Sequence, residues 1–223
     1  MSLLVPNGLQ IGYRKRVVAT VKGEFAFNPA EITLLLGLNG AGKTTLMKTI
    51  SGLIPPVEGK LPATRALYLS EEVDFPPNLS PREITACLAR TRSERAQANR
   101  WLCTLQVEDR AYGKLSKGNR HKARLVFAQL TALSRRMPIV GLDEPFSGLD
   151  FVAREQLIRD WSDRRREAPW HLLISIHPAE IPFVPHQMIV VAQGEIRPVP
   201  VHTSWSELRE MLTADPATPL ACS

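Results

Sequence analysis

Cysteine is scarce: Cys87, Cys103 and Cys222 are three residues far apart that form no Cys-x-x-Cys pair. An odd, dispersed set excludes a disulfide framework and a zinc site, and predicts small buried or tail residues. Long hydrophobic runs are missing as well. The longest, such as Leu34 to Leu36, Ile139 to Leu142 and Met188 to Ala192, fall far short of the about 18 apolar residues of a membrane-crossing helix. The opening Met-Ser-Leu-Leu-Val-Pro has no extended apolar core, and the basic Arg14-Lys15-Arg16 cluster follows it rather than precedes it. A secretory signal is therefore not expected, and the chain reads as made and kept in the cytoplasm.

What is present is ordinary globular composition: 223 residues, 44% hydrophobic and 22% charged, with a formal net charge of +6. That length supports one compact unit with a sizeable core, and leaves no room for a fibrous or disordered reading. The positive balance could attract nucleic acid or an anionic leaflet, yet the basic residues are dispersed, with short clusters such as Arg164 to Arg166. A solvated helix face is the expected explanation of such a cluster.

Glu31 to Leu36 reads as a buried strand leading into Gly37-Leu38-Asn39-Gly40-Ala41-Gly42-Lys43-Thr44-Thr45 and a helix stopping at Gly52. Leu46, Met47 and Ile50 recur at helical spacing and are expected to pack. Another strand is predicted near Arg65 to Leu69. Two helical patterns follow from Ser80 to about Gln106, opened by a Ser80/Glu83 capping box. A third helix should start at Ser116 and run to Leu133. Buried strands are expected at Ile139 to Leu142, Leu172 to Ile176 and Met188 to Val191. Strands alternating with helices imply an α/β fold with a mainly parallel sheet, here with an antiparallel region near the amino end and a small helical insert at about 72–135. Ser204 and Glu207 cap a short helix ending near Thr213, and 215–223 resembles a frayed tail. The domain reading is one unit over 1–200 and a short helix and tail over 201–223, with no internal repeat.

Gly37 to Thr44 satisfies Gly-x-x-x-x-Gly-Lys-Ser/Thr. In that pattern backbone N–H groups cradle phosphates, Lys reaches the outer phosphates and the hydroxyl binds magnesium. The glycines allow close approach to the anion, and the helix points its positive end at it. A chance match in a chain of this length is on the order of 1%, so nucleotide binding is the expected role. Ile139-Val140-Gly141-Leu142 ends in Asp143-Glu144-Pro145, two carboxylates at the carboxyl end of a buried strand, where open α/β sheets bind ligands. Asp143 suits magnesium and Glu144 suits an attacking water. His177 follows the strand Leu172 to Ile176. An isolated His there is usually structural, but its place after both motifs points to the γ-phosphate or to Glu144.

Together these residues resemble the ATP-binding-cassette ATPases, from about Tyr13 to Gly194. The segment 37–45 resembles that family's Walker A, Leu115-Ser116-Lys117-Gly118-Asn119 its signature, and Leu-Asp-Glu-Pro-Phe-Ser-Gly-Leu-Asp at 142–150 its Walker B and D-loop. Lys117 and Asn119 replace the commoner Gly and Gln, a variant most similar to the compact exporter branch. The resemblance implies an ATPase subunit with ATP and Mg2+ as cofactors. Catalytic groups would be Glu144, His177 and Lys43, and metal-binding groups Thr44, Asp143 and Glu71, the last standing where the family has glutamine. Nucleotide contacts would come from Tyr13 against adenine, from Gly37, Asn39, Gly40, Ala41, Gly42, Lys43, Thr44 and Thr45, from Asp150, and from Ser116 and Gly118 toward a partner chain's nucleotide.

The implied partners are an integral-membrane transporter subunit and a second nucleotide-binding subunit, as homodimer or heterodimer, with no nucleic acid. The chain would then be peripheral on the inner face of the membrane. The Phe75-Pro76-Pro77 segment reads equally as a coupling surface or a rigid apolar loop. Arg120, Lys122 and Arg124 read as a solvated face. Two rival readings stay open: an ATP-gated regulatory or assembly subunit with little hydrolysis, and a nucleic-acid-associated cassette protein suggested by the basic charge.

Overall fold

The computed structural model describes residues 2–70, 72–163, 170–177 and 183–213, with the side chain of Asp163 left aside. Glu71, the Arg164 to Arg166 cluster, Cys222 and the 215–223 tail lie outside the described residues.

Short strands open the chain. β1 (Leu3–Val5) pairs antiparallel with β4 (Phe25–Phe27), and β2 (Gln10–Tyr13) pairs antiparallel with β3 (Arg16–Val21). β5 (Ile32–Leu36) is buried along its whole length. Its alternation serves two cores: Ile32, Leu34 and Leu36 join one apolar cluster and Leu35 joins another. α1 (Lys43–Ile50) lays Leu46, Met47 and Ile50 into the second cluster, beside the β1 and β4 residues Leu3, Val5, Phe25 and Phe27. Burial of each such side chain is worth roughly 2 kcal/mol.

After β6 (Ala66–Leu69) come α2 (Pro81–Leu88), α3 (Arg92–Thr104), a short 3-10 turn at Tyr112–Lys114 and α4 (Lys117–Arg135). Ser80 and Glu83 form the expected capping box on α2, and Thr91 and Glu94 form a second on α3 that the sequence reading passed over. Phe75 turns inward onto Tyr112 and Phe127, with ring centroids 5.8 and 4.6 Å away, as the apolar-loop reading requires. Cys87 and Cys103 are free and exposed, which corrects the expectation of burial. They lie on α2 and α3, whose buried residues include Ile84 on the one and Trp101 on the other, and a small thiol on the outer face loses little by facing water.

β7 (Ile139–Asp143), α5 (Phe151–Asp163), β8 (His171–Ile176), β9 (Gln187–Ala192), β10 (Glu195–Val199) and α6 (Trp205–Thr213) complete the chain. The eight-stranded sheet has the order β2-β3-β10-β9-β5-β8-β7-β6. The run from β9 through β6 is parallel, and antiparallel pairing is confined to β2–β3 and the β9–β10 hairpin. That hairpin turns through Gln193 and Gly194, both at positive φ, as a two-residue turn between twisted strands demands. α6 buries Leu208 and Leu212 in the first cluster, together with Trp101, Leu125, Leu157 and Trp161. The sheet is thus covered on both faces, and the carboxyl ends of β5, β7 and β8 are left at one edge of the core.

At the opposite end, His171 opens β8 fully buried. Its Nδ1 lies 2.8 Å from the Asn28 carbonyl, its Nε2 lies 3.0 Å from Thr33 Oγ1, and its ring stands 4.9 Å from that of Phe27. Burial pushes its pKa down to about 4 from 6.5. The unfolded chain therefore takes up the proton more readily than the folded one. This contribution to stability is complete above pH 6.5 and is lost as the pH falls toward 4. We expect folding stability to drop by about 2 kcal/mol through this residue between about pH 7.5 and about pH 5. Urea unfolding of the parent and of His171→Gln at the two pH values checks it: the variant should lose much less, and an equal loss would show that the acid sensitivity lies elsewhere.

Candidate functional site

β5 runs straight into the glycine loop, and the loop is wedged between neighbouring strands. A Cβ added at Gly37 would come 2.6 Å from the Val191 carbonyl oxygen of β9. Gly42 has φ 114, and a Cβ there would stand 2.9 Å from Val18 Cγ1 of β3. Only glycine fits at either place. Asn39 and Gly40 are exposed at the loop tip, Gly40 with φ 81, and the Ala41 N–H donates to the Leu38 carbonyl at 3.1 Å. Lys43 folds back over the loop, donating to the carbonyls of Gly37 at 2.7 Å and Leu38 at 3.2 Å. Burial lowers its pKa, while Glu144 and Asp143 act in the opposite sense. An ammonium held by neutral carbonyls at the start of a helix can exchange those partners for an anion. Thr45, in contrast, is buried along α1.

Opposite the loop, β7 ends in Asp143. Its Oδ2 accepts from Thr44 Oγ1 at 2.7 Å and from the Tyr68 hydroxyl at 2.8 Å, and its Oδ1 accepts from Ser175 Oγ at 2.5 Å. Burial, then the Asp143 carboxylate, push the Tyr68 phenol above its usual range, so it stays a donor at neutral pH. Neighbouring ligands on a six-coordinate magnesium are about 2.9 Å apart. The hard oxygens of Thr44 and Asp143 are spaced for two such positions, and the donor set suits that ion. Thr44, Tyr68, Glu72, Asp143 and Glu144 line a common cleft of about 310 Å³.

Glu144 has φ 46. This left-handed backbone costs about 1 kcal/mol or more for a residue with a side chain. Its N–H donates to Ser175 Oγ at 2.9 Å and its carbonyl accepts from Ser147 N–H at 3.0 Å. Glu144 and the exposed His177 share a second cleft of about 110 Å³ with Ser147 and Ile176. A carboxylate between the two clefts, with an imidazole across the second, can orient a water and accept its proton.

Ser116 caps α4, its hydroxyl accepting from Asn119 N–H at 3.2 Å. Asn119 in turn exchanges two 3.0 Å hydrogen bonds with Glu108. A Cβ at Gly118 would stand 3.3 Å from the Gly148 carbonyl. His121 Nε2 lies 2.8 Å from the Pro145 carbonyl oxygen, and Lys122 Nζ lies 2.7 Å from Asp150 Oδ2. Asp150 also accepts from Ala153 N–H at 2.8 Å, capping α5, and the Lys122 hydrogen bond lowers its pKa. The solvated-face reading of these basic residues is corrected here. Lys122 and Arg124 are buried, Arg124 reaches the Val73 carbonyl at 3.2 Å, and Arg120 reaches that of Leu115 at 3.2 Å. Their long stems add to the core while their heads find acceptors.

Tyr13 is half exposed at the end of β2, in the hairpin whose β3 strand supplies Val18 to the glycine loop. Residues 22–147 match the family model described as ABC transporter. The chain belongs to the ABC transporter family. Among the family's curated members, an ATP-binding protein of Methanocaldococcus jannaschii is 34% identical over 170 residues, covering 70% of this chain. This chain spans 61% of that protein's length, less than two thirds. An aliphatic sulfonates import ATP-binding protein of Nocardia farcinica is 31% identical over 194 residues, 83% of this chain and 76% of its own. A dimeric ATP-binding cassette solved in a post-hydrolysis state with ADP and Pi superposes with a TM-score of 0.71 at 17% identity, covering 92% of this chain and 100% of that one. That likeness shows the fold.

Two residues of this ABC transporter family chain escaped the sequence reading. Ser175 is the polar residue in the otherwise apolar run Leu172 to Ile176, which was a readable signal, and Tyr68 lies within the strand predicted near Arg65 to Leu69. The Lys122 to Asp150 pair generates a stability prediction. Asp150→Ala removes the α5 cap and leaves a buried ammonium unpaired, and should cost about 1 kcal/mol or more. Asp150→Asn, which keeps a capping oxygen, should cost less. Urea unfolding of the two variants measures the difference, and equal losses would show that the cap carries nothing.

Proposed function

We propose that the chain is the ATP-binding and ATP-hydrolysing subunit of an ABC transport system, driving a separate membrane subunit. The observation that carries this reading is the 2.7 Å contact between Thr44 and Asp143 at the foot of the glycine loop, with Glu144 next in sequence. In this reading Thr44 and Asp143 hold Mg2+, which when bound offsets charge on the outer phosphates of ATP. Glu71, which takes the place of the family's glutamine in the sequence, is proposed as a further ligand of the same ion on that resemblance alone.

The remaining roles follow from position. The loop N–H groups from Gly37 to Thr45, Asn39, Gly40, Ala41 and Gly42 included, cradle the phosphates, and Lys43 leaves its two carbonyls for phosphate oxygens. Tyr13 stacks on adenine. Glu144 orients the attacking water and takes its proton, while His177 faces the γ-phosphate from across the smaller cleft. Ser116 and Gly118, at the amino end of α4, address the nucleotide of a second chain, and Asp150 holds the segment between.

Support comes from several sides. The Nocardia relative is named as an import ATP-binding protein. The fold neighbour is a dimer holding ADP and Pi. No helix among the described residues is long and apolar enough to cross a membrane, which fits a subunit held at the cytoplasmic face through its partner. The import name gives no support to the exporter-like reading of the signature, and we leave cargo and direction to the membrane subunit.

The test is Mg2+-dependent phosphate release by the parent and by Glu144→Gln, with ATP-driven dimerisation followed on a sizing column. Release by the parent, a loss of about 100-fold or more in the variant, and an ATP-trapped dimer of the variant are the expected results. No release by the parent, even with its membrane partner present, would leave an ATP-gated regulatory subunit as the better account.

A further inference from the structure

Asp143 is approached from both strands that flank β7. Ser175 lies directly opposite it in the parallel β7–β8 register, and Tyr68 reaches it from β6 on the other side. The two hydroxyls divide the carboxylate: Tyr68 donates to Oδ2, the oxygen shared with Thr44, and Ser175 donates to Oδ1. Ser175 is fully buried and has a second task, accepting the N–H of Glu144. One serine oxygen therefore touches the side chain of Asp143 and the backbone of Glu144, the residue at φ 46.

A carboxylate that binds metal through one oxygen must be stopped from rotating about its own bond, and hydrogen bonds to its oxygens do this. Removing such a bond typically costs 10- to 100-fold in metal affinity or activity. An outlying backbone angle likewise persists only where the surroundings hold it.

We propose that Tyr68 and Ser175 are positioning residues: both fix the Asp143 carboxylate for its metal, and Ser175 alone also fixes the backbone that presents Glu144. This rests on the reading that Thr44 and Asp143 hold a divalent cation. The two residues then have separable signatures. Tyr68 acts on the metal carboxylate only, so a defect from its loss is recovered by excess metal. Ser175 acts on metal and base together, so part of its defect remains at any metal concentration.

The experiment uses Mn2+ as the probe. In a Glu144→Gln background with ATP, bound Mn2+ is counted by electron paramagnetic resonance for the parent, Tyr68→Phe, Ser175→Ala and Ser175→Cys. The last keeps the side-chain volume with a weaker donor and acceptor, and stands in if the alanine variant does not fold. Turnover is measured separately with Glu144 intact, across a Mg2+ titration.

We expect Tyr68→Phe and Ser175→Ala each to raise the Mn2+ concentration for half-occupancy about tenfold. Excess Mg2+ should recover the turnover of Tyr68→Phe and leave Ser175→Ala about tenfold low, with Ser175→Cys between. Unchanged Mn2+ binding in both variants overturns the proposal while leaving the function reading intact. A turnover deficit in Tyr68→Phe that excess metal does not recover overturns the division between the two residues. Absence of Mn2+ binding by the unsubstituted site overturns the metal reading itself, and with it this inference.

Discussion

The hydrogen bond from Thr44 to Asp143 joins segments 99 residues apart, and the site depends on the sheet that allows it. β8 stands between β5 and β7, so the helix that follows β5 and the last residue of β7 end at the same edge with one strand as spacer. A parallel pairing puts all three carboxyl ends there at once. The apolar alternation of β5 is what makes that order stable, because each face of the strand has its own core to join.

The glycine loop is under a second constraint. It runs past the carbonyl of Val191 on one side and the methyl of Val18 on the other. The amino-terminal hairpin is therefore a wall of the site as well as a sheet edge, and the exposed ring of Tyr13 is carried on that wall. The buried ammonium of Lys43 belongs to the same arrangement. It is satisfied by loop carbonyls and destabilised by burial, a condition in which an arriving anion meets a partner already desolvated.

Much of this was readable in the residues. Periodicity located α1, the buried strands and the helices between β6 and β7, and Ser80/Glu83 and Ser204/Glu207 announced two helix starts. The loop and the Asp143-Glu144 pair could be nominated because their spacing encodes a local shape. What could not be read depended on tertiary neighbours. β10 is a short, half-buried strand that carries Pro198, with a weak period. Lys122 and Arg124 look like surface residues until α4 is packed, since nothing local says that Asp150 and the Val73 carbonyl will meet them. Tyr68 is silent for the same reason, and Ser175, though marked as a polar residue in an apolar run, does not say which strand holds its partner.

α4 bears on more than its own packing. Gly118 lies close to Gly148, His121 meets the Pro145 carbonyl and Lys122 meets Asp150, so the first turns of the helix lie against the segment that leaves β7. The amino end of α4 therefore cannot be displaced without disturbing contacts made by the residues that follow Glu144.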